Sequence, residues 1–187
     1  MSYWRDREKL MYYALVRRWL EELGPLESIL DVGCFDTPVV TWGSFRQRFT
    51  VDPRSRPALI GVRQVVGSWP DCAGLVPRCD VVTCLQVLEH LDEPGPFCAA
   101  LFGHARHAVL LSVPWLWPAG MEPYHRQDPV DAEKLRGWTG REPDQQEVVG
   151  TPARAVAVYL HSHRSATTSA SDGSRRRPTL FSAEPAA

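Results

Sequence analysis

The segment SILDVGCFDTPVVTWGSFRQRFTVD, residues 28–52, constrains the fold of this 187-residue chain more than any other. An apolar run ends at Asp31-Val32, a turn with Gly33 and a short helical stretch follow, and a second apolar run ends at Asp52. Short apolar runs bounded by turn residues are typical of strands buried on both faces, as in parallel sheets. The segment therefore predicts two strands, Ser28–Val32 and Phe49–Asp52, joined by a tight crossover.

The rest of the chain alternates between helical and strand patterns. Apolar residues recur at helical spacing over Tyr3–Leu23, and Gly24-Pro25 ends this predicted helix. Two closing strands, 148–149 and 155–160, are separated only by a turn, which favours an antiparallel hairpin. The predicted fold class is α/β: a mostly parallel sheet with an antiparallel C-terminal edge hairpin and helices on both faces. The other predicted elements are strands at 64–66, 80–85 and 108–113 and helices at 96–104 and 131–138.

Composition and charge exclude several classes of protein. The formal net charge of −1 lacks the basic excess that is typical of nucleic-acid-binding domains. The five cysteines form no C-x-x-C pair and no cluster with metal-ligand spacing, so we predict neither a disulfide framework nor metal ligands. The N-terminus lacks the apolar run of a signal peptide, and no stretch reaches membrane-spanning length. We expect a cytoplasmic protein that binds no nucleic acid and no membrane.

The chain divides into three regions. Residues 1–27 are predicted to form an N-terminal helix that acts as a lid over a cofactor or substrate, with core packing of its aromatic residues as the alternative. Residues 28–160 are the predicted α/β core. Residues 161–187 are rich in Ser, Thr, Ala, Arg and Pro, and they have too few apolar anchors to offset the entropy of ordering. We predict that this tail is disordered.

Two acids in the first segment have the spacing of a nucleotide site. Asp52 follows Asp31 by 52 − 31 = 21 positions, and an acid about 20 residues past the first turn contacts the ribose hydroxyls in dinucleotide-binding units. Gly33 has no Cβ and lets the backbone turn sharply beside a ligand. The spacing predicts a site for an adenosine-containing cofactor. The alternative is a purely structural turn, with Asp52-Pro53 starting a second one.

Three segments, taken in order, resemble the class I S-adenosylmethionine-dependent methyltransferases. They are DVGCFDTP at 31–38, the acid Asp52 and DVVTCLQVLEHLDEP at 80–94. The VLLSVPW segment at 109–115 and the late hairpin fit the same family. The resemblance covers residues 28–160 and implies a Rossmann-like core, S-adenosyl-L-methionine as cofactor and methyl transfer as activity. The chain departs from the family at Phe35 and Thr37, where this turn usually carries further glycines.

The resemblance implies a set of cofactor contacts near the ends of the predicted strands. Within GSWPD, Trp69 would stack on adenine and Ser68 would form a hydrogen bond with it, with Asp71 as the fallback. Glu89 belongs to the segment that lies beside the methyl-donor pocket in this family. The full set is Asp31, Gly33, Cys34, Phe35, Asp52, Pro53, Ser68, Trp69, Gln86, Val87 and Glu89.

Methyl transfer asks mainly for alignment of the acceptor with the methyl group, and a hydroxyl or ammonium acceptor also needs a base. His90 and His125 are the two candidate bases, although a structural role for His90 and an exposed loop position for His125 stay open. The aromatic residues Trp115, Trp117 and Tyr124 are expected to line the acceptor pocket. A loop packed on its own side chains is the alternative.

Three functions compete. The first is methyl transfer to a small-molecule oxygen or nitrogen acceptor, because residues 85–88 read LQVL and lack the Asn/Asp-Pro-Pro-aromatic tetrapeptide of nucleobase methylation. The second is a catalytically degenerate partner or scaffold protein, because the turn is poor in glycine. The third, a nicotinamide-dependent oxidoreductase, is disfavoured because G-x-G-x-x-G is absent. Association of two chains into a homodimer stays open.

Overall fold

The structure is a computed structural model that describes residues 2–161. Almost all of the predicted disordered tail, 161–187, lies outside the described residues. None of the described helices is long and apolar enough to cross a membrane. The described part contains helices α1 (Tyr3–Arg7), α2 (Met11–Glu22), α3 (Pro94–His104) and α4 (Ala132–Thr139), and strands β1 (Leu26–Val32), β2 (Phe45–Asp52), β3 (Val62–Val66), β4 (Cys79–Leu85), β5 (Ala105–Pro114), β6 (Gln145–Val149) and β7 (Arg154–Leu160).

The seven strands form one sheet in the order β3-β2-β1-β4-β5-β7-β6. Strands β1 to β5 are parallel, whereas β7 is antiparallel to both β5 and β6. The predicted fold class, including the antiparallel edge hairpin, is confirmed. We call the edge where β1 to β5 end the carboxyl edge and the opposite one the amino edge. Because β7 runs the other way, its first residue Arg154 lies at the carboxyl edge, opposite Pro114.

Two hydrophobic layers cover the two faces of the sheet. Successive side chains of a strand point to opposite faces, so Ile29 packs in one layer and its neighbour Leu30 in the other. The first layer includes Trp19 of α2, and the second includes Leu101 of α3 and Leu135 of α4. The sheet is therefore sandwiched between helices, and the ends of its strands are left for a site.

The N-terminal helix predicted over Tyr3–Leu23 is broken into α1 and α2. The break falls at Leu10, whose backbone is extended, at φ −67° and ψ 131°. Asp36, in the loop after β1, holds the start of α1: its Oδ2 accepts from Ser2 Oγ at 2.8 Å and its Oδ1 from the Trp4 N–H at 2.9 Å. The first helix is thus fixed to the carboxyl edge. The short helix predicted after β1 is only a 3₁₀ turn, Val39–Thr41.

Candidate functional site

Gly33 makes the turn after β1. Its φ is +75°, a backbone conformation that side chains disfavour, and a Cβ there would collide with the side chain of Val87. Its N–H donates to the carbonyl of Val51 at 2.9 Å. The loop after β1 therefore lies directly against the segment that follows β4.

Asp52 holds this loop from the end of β2. Its Oδ2 accepts the Phe35 N–H at 2.7 Å and its Oδ1 accepts the Arg54 N–H at 2.8 Å. The side chain is buried, and a carboxylate has about four acceptor sites. Asp52 therefore shapes the loop and retains acceptor capacity for hydroxyl groups of a ligand.

Phe35 occupies an unusual backbone position. Its φ is +42°, in the left-handed region that non-glycine residues seldom adopt. The ring meets Tyr3 of α1 edge-on, with 5.4 Å between centroids, and the Arg54 guanidinium lies 4.5 Å above it. Burial raises the pKa of the neighbouring Cys34 thiol to about 12. That thiol is therefore unreactive.

Asp31 ends β1 with half of its carboxylate unpartnered. Thr83 Oγ donates to Asp31 Oδ1 at 2.7 Å, but Oδ2 is buried without a hydrogen-bond partner among the described residues. Burial raises the pKa of Asp31 to about 7, against the Thr83 bond and the charge of Arg56, while the Asp52 charge adds to the rise. An unpartnered buried carboxylate oxygen is costly, and it suits a cationic ligand group such as an ammonium.

Arg56 is a residue that the sequence did not point to. Its Nε and Nη1 are buried and have no hydrogen-bond partner within residues 2–161. Its positive charge lowers the pKa values of Asp31 and Cys34, against the larger effect of burial. Arg56 therefore reaches back toward the turn after β1 from the loop after β2.

Gln86 links the end of β4 to two neighbouring strands. Its φ is +56°, its N–H donates to the Ser112 carbonyl at 2.8 Å, and its Oε1 accepts from Arg154 Nε at 3.0 Å. The Arg154 guanidinium also lies 4.8 Å from the ring of Trp117. Arg154 was not predicted. From the sequence, only the predicted antiparallel direction of β7, which brings its first residue to the carboxyl edge, could have indicated Arg154.

The loops after β4 and β5 bring Glu89, His90 and His125 together. One donor atom from each of the three side chains lies within 4.8 Å of the others. Nδ1 of His90 is 3.0 Å from the carbonyl of Tyr124, and Nδ1 of His125 is 2.7 Å from Asp128 Oδ2. The two imidazole rings meet edge-on at 4.8 Å. The two histidines predicted as bases are therefore neighbours, and the missed residue Asp128 orients one of them.

Glu89 is fully buried, and neither oxygen of its carboxylate has a hydrogen-bond partner in the described part of the chain. Burial raises its pKa to about 8; the Asp128 charge adds to this rise, while its own nearby backbone and the Arg154 charge oppose it. Burial also lowers the pKa of His90. At neutral pH the imidazole of His90 is therefore uncharged.

Main-chain hydrogen bonds fix these two loops to each other. The N–H groups of Arg126 and Gln127 donate to the carbonyl of Glu89 at 2.8 and 3.3 Å. The Gln127 amide also donates to the Leu91 carbonyl at 2.7 Å. Trp117 stacks on His125, with 5.5 Å between ring centroids. The cluster is thus built into the fold.

Several predicted site residues lie elsewhere. Trp69, which is predicted to stack on adenine, is buried in a hydrophobic layer, and its ring packs edge-on against His104 with 5.1 Å between centroids. Its neighbour Ser68 is exposed, as is Pro53 after β2. Trp115 packs partly against the same hydrophobic layer, and the Tyr124 side chain is 76% exposed. Of the three predicted pocket aromatics, Trp117 contacts the histidine cluster with its ring and Tyr124 does so through its main-chain carbonyl.

Two surface cavities lie away from this cluster. One, of about 270 Å³, is lined by Trp4, Tyr13, Arg17 and Trp42, among others, on the α2 side. The other, of about 590 Å³, lies at the amino edge beside Leu26 and Phe45. Neither is lined by any of the unpartnered buried polar groups of the described residues. The candidate site is therefore assigned from its unpartnered buried polar groups and not from a surface cavity.

Comparison with known proteins adds information at the level of the fold. No protein-family model and no curated protein matches the chain. Many solved structures do match. Magnesium protoporphyrin IX methyltransferase (ChlM) from Synechocystis PCC 6803, with bound SAH, has a TM-score of 0.59 and 18% identity over 81% of this chain and 83% of its own.

Two further structures extend the comparison. A chain of a complex that contains the Haloferax volcanii Trm112 methyltransferase activator has a TM-score of 0.63 and 10% identity, over 85% of this chain and 94% of its own. The [4+2]-cyclase SpnF has a TM-score of 0.59 and 13% identity, over 80% of this chain and 79% of its own. At such identities the likeness concerns the fold. The chain has the Rossmann-like fold of the class I S-adenosylmethionine-dependent methyltransferases.

Proposed function

We propose that this chain is an S-adenosylmethionine-dependent methyltransferase that acts on a small-molecule acceptor. The observation that carries the proposal is the pairing of two carboxylates at the carboxyl edge. Asp52 accepts a hydrogen bond from the Phe35 N–H in the loop after β1. Asp31, just before that loop, has a buried carboxylate oxygen without a hydrogen-bond partner among the described residues. Ligands of open parallel sheets bind at this edge, and a methyltransferase with bound SAH is among the solved structures that share the fold.

The residues present fit the cofactor. Asp52 would accept hydrogen bonds from the ribose hydroxyls, and bonds to a charged acceptor contribute about 1.5–3 kcal/mol. Asp31 would receive the ammonium group, and Ser68 and Pro53 would flank the adenine. Bound at this edge, the cofactor supplies a methyl group activated on a sulfonium. The loop of Gly33, Cys34 and Phe35 and the segment of Gln86 and Val87 would form the remaining walls.

The acceptor would lie on the side of His125 and His90. In each ring Nδ1 is beside an acceptor oxygen and therefore carries the proton, which leaves the Nε2 lone pair to act as a base. The His125 side chain is only 6% exposed, so it serves an enclosed acceptor better than the surface of a macromolecule. Trp117 and Arg154 would form the wall of this pocket. Oxygen and nitrogen acceptors both fit a histidine base.

One observation favours the second candidate, a partner or scaffold protein that has lost catalysis. Phe35 has a left-handed backbone where the family usually has glycine, and both oxygens of Asp52 accept main-chain N–H groups. A loop closed on its own groups in this way leaves less room for a cofactor than the glycine-rich turn that is usual in the family. Cofactor binding separates the two functions.

The test is calorimetric titration with S-adenosylmethionine. Asp52→Asn keeps the shape of the side chain and one acceptor oxygen for the loop, and we expect its affinity to fall at least tenfold, about 1.4 kcal/mol. Asp80→Asn is the matched control, because Asp80 also accepts two main-chain N–H groups but lies at the amino edge. Its affinity should equal that of the wild type. Wild-type binding weaker than about 1 mM would favour the scaffold. Tight binding with equal affinity in Asp52→Asn would instead mean that the ribose contact is misassigned.

A further inference from the structure

We propose that Glu89, His90 and His125 form a binding site for a divalent transition-metal ion. Their donor atoms lie within 4.8 Å of one another at the junction of two loops. The spacing of the sequence hides this site, because the two histidines are 125 − 90 = 35 residues apart. The prediction that the chain has no metal ligands rested on that spacing alone.

The two histidines have the hydrogen bonds of metal ligands. A metal-bound histidine almost always donates its other ring N–H to a carboxylate or a carbonyl. Here Nδ1 of His125 faces the Asp128 carboxylate at 2.7 Å, and Nδ1 of His90 faces the Tyr124 carbonyl at 3.0 Å. Both Nε2 atoms are therefore left with lone pairs. No other hydrogen bond to either Nε2 occurs among the described residues.

Glu89 provides an independent observation. It is fully buried, and neither carboxylate oxygen has a hydrogen-bond partner within residues 2–161. The His90 imidazole lies beside it, with 4.0 Å between Nε2 and Glu89 Oε1. Buried charges in proteins are paired or coordinate metals. An ion between Glu89 and the two imidazoles would satisfy this carboxylate.

The site needs little rearrangement. Metal–nitrogen and metal–oxygen bonds of about 2.0–2.2 Å place tetrahedral donors roughly 3.3 Å apart, so donors now within 4.8 Å of one another would approach by up to about 1.5 Å through side-chain rotation. The main chain is already fixed, because the loop that carries His125 donates two N–H groups to the Glu89 carbonyl. Asp128, with a side chain 2% exposed, is likewise in place.

The donor set selects the class of ion. Two imidazoles and one carboxylate suit Zn²⁺, Co²⁺, Mn²⁺ or Fe²⁺, whereas Mg²⁺ and Ca²⁺ prefer oxygen donors. Three protein ligands leave at least one position open for water or an oxygen ligand. With the ion bound, the two Nε2 lone pairs are used, and the ion takes over activation of an acceptor hydroxyl. Only this last consequence rests on the proposed methyl transfer.

The test uses the full chain without an affinity tag, treated with EDTA and dialysed. We expect Co²⁺ to bind in a 1:1 ratio with a visible absorption band typical of nitrogen and oxygen ligands. At about 100 times Kd, Zn²⁺ should raise Tm by roughly 5–10 °C. His125→Gln and Glu89→Gln should each weaken Co²⁺ binding at least tenfold. Glu89→Gln keeps the side-chain shape and removes a buried carboxyl group that has no partner among the described residues, so it should fold with a Tm at or above the wild-type value without metal.

His104→Gln is the matched control. It removes one imidazole beside the Pro77 carbonyl, outside the cluster, and should bind Co²⁺ as the wild type does. The proposal is overturned if Co²⁺ and Zn²⁺ change neither the spectrum nor Tm, or if Glu89→Gln binds as tightly as the wild type. It is also overturned if His104→Gln loses as much affinity as His125→Gln. Cofactor binding, measured separately in EDTA, decides the methyltransferase proposal.

Discussion

The two edges of the sheet differ in whether they leave oxygen atoms of acidic side chains without hydrogen-bond partners. At the amino edge, Asp80 Oδ2 accepts the N–H groups of Glu27 and Ser28 at 2.9 and 3.0 Å, and Ser28 Oγ accepts the N–H of Asp80. At the carboxyl edge, Asp31 Oδ2 and both oxygens of Glu89 have no partner among the described residues. The amino edge uses its charges to join strands. The carboxyl edge leaves these oxygen atoms of its two acids without partners among the described residues, in keeping with the ligand that we propose there.

This difference extends to every acidic or arginine side chain with unpartnered buried atoms in the described part of the chain. These are Asp31, Arg56, Glu89 and Asp128, and all lie at the carboxyl edge or in loops that leave it. Such groups lower the stability of a fold, and they are concentrated at functional sites. The contrast predicts that neutralising a partnered acid such as Asp80 will destabilise the protein, whereas neutralising an acid with an unpartnered oxygen, such as Asp31, will stabilise it.

The largest effect is expected for Asp80→Ala at the amino edge. The change leaves two main-chain N–H groups without an acceptor and removes the Arg106 ion pair at 3.7 Å. We expect the free energy of unfolding to fall by about 3 kcal/mol, which lowers Tm by roughly 6–12 °C. Chemical denaturation monitored by circular dichroism measures it. A loss below about 0.5 kcal/mol would show that Asp80 does not have this structural role.

The opposite sign is expected for Asp31→Asn at the carboxyl edge. Burial raises the folded-state pKa of Asp31 from 3.8 to about 7, so the stability that wild type has below pH 4 is lost as pH rises through 7. Asparagine has no such loss and can still accept the Thr83 hydrogen bond. We expect Tm of the variant to exceed that of the wild type by roughly 2–6 °C at pH 8.

Thermal scans from pH 4.5 to 8 check the pH dependence of this variant. The difference in Tm between Asp31→Asn and wild type should grow with pH, because all other groups titrate in both proteins. A difference that stays constant, or that shrinks as pH rises, would contradict a raised pKa at Asp31 and with it the distinction between the two edges.

The smallest effect is expected for Asp36→Ala, which sharpens the comparison. Asp36 lies at the carboxyl edge but is satisfied by Ser2 and Trp4, so its carboxylate binds the start of α1. We expect a loss of about 1 kcal/mol. Hydrogen exchange should become faster in Tyr3–Arg7 and stay unchanged in Met11–Glu22. Equal protection of α1 in variant and wild type would show that other contacts hold this helix.

The sheet could be predicted because its strands are encoded locally. Apolar runs at 28–32, 80–85 and 108–113 correspond to β1, β4 and β5, and the short turn at 150–152 predicted the antiparallel pair. The break between α1 and α2 could not be predicted, because the apolar periodicity of Tyr3–Leu23 continues across Leu10. The start of α1 is held by Asp36, which is distant in sequence and which no local pattern could connect to this helix.

The site was predicted less completely, for reasons visible in single residues. Asp31, Gly33 and Asp52 are placed by the ends of their own strands, so spacing located them. Trp69 packs against His104 at the end of α3. The two residues are distant in sequence, so a local pattern cannot show this tertiary contact. Arg154 and Asp128 are likewise brought to the site only by β7 and by the loop after β5.

A crystal structure of the protein with S-adenosylhomocysteine tests the central claim most directly. We predict that the ribose diol will contact the Asp52 carboxylate and that the ammonium group will occupy the unpartnered side of Asp31. A ligand bound elsewhere, or no ligand at concentrations that saturate known methyltransferases while Asp52 contacts only Phe35 and Arg54, would contradict it.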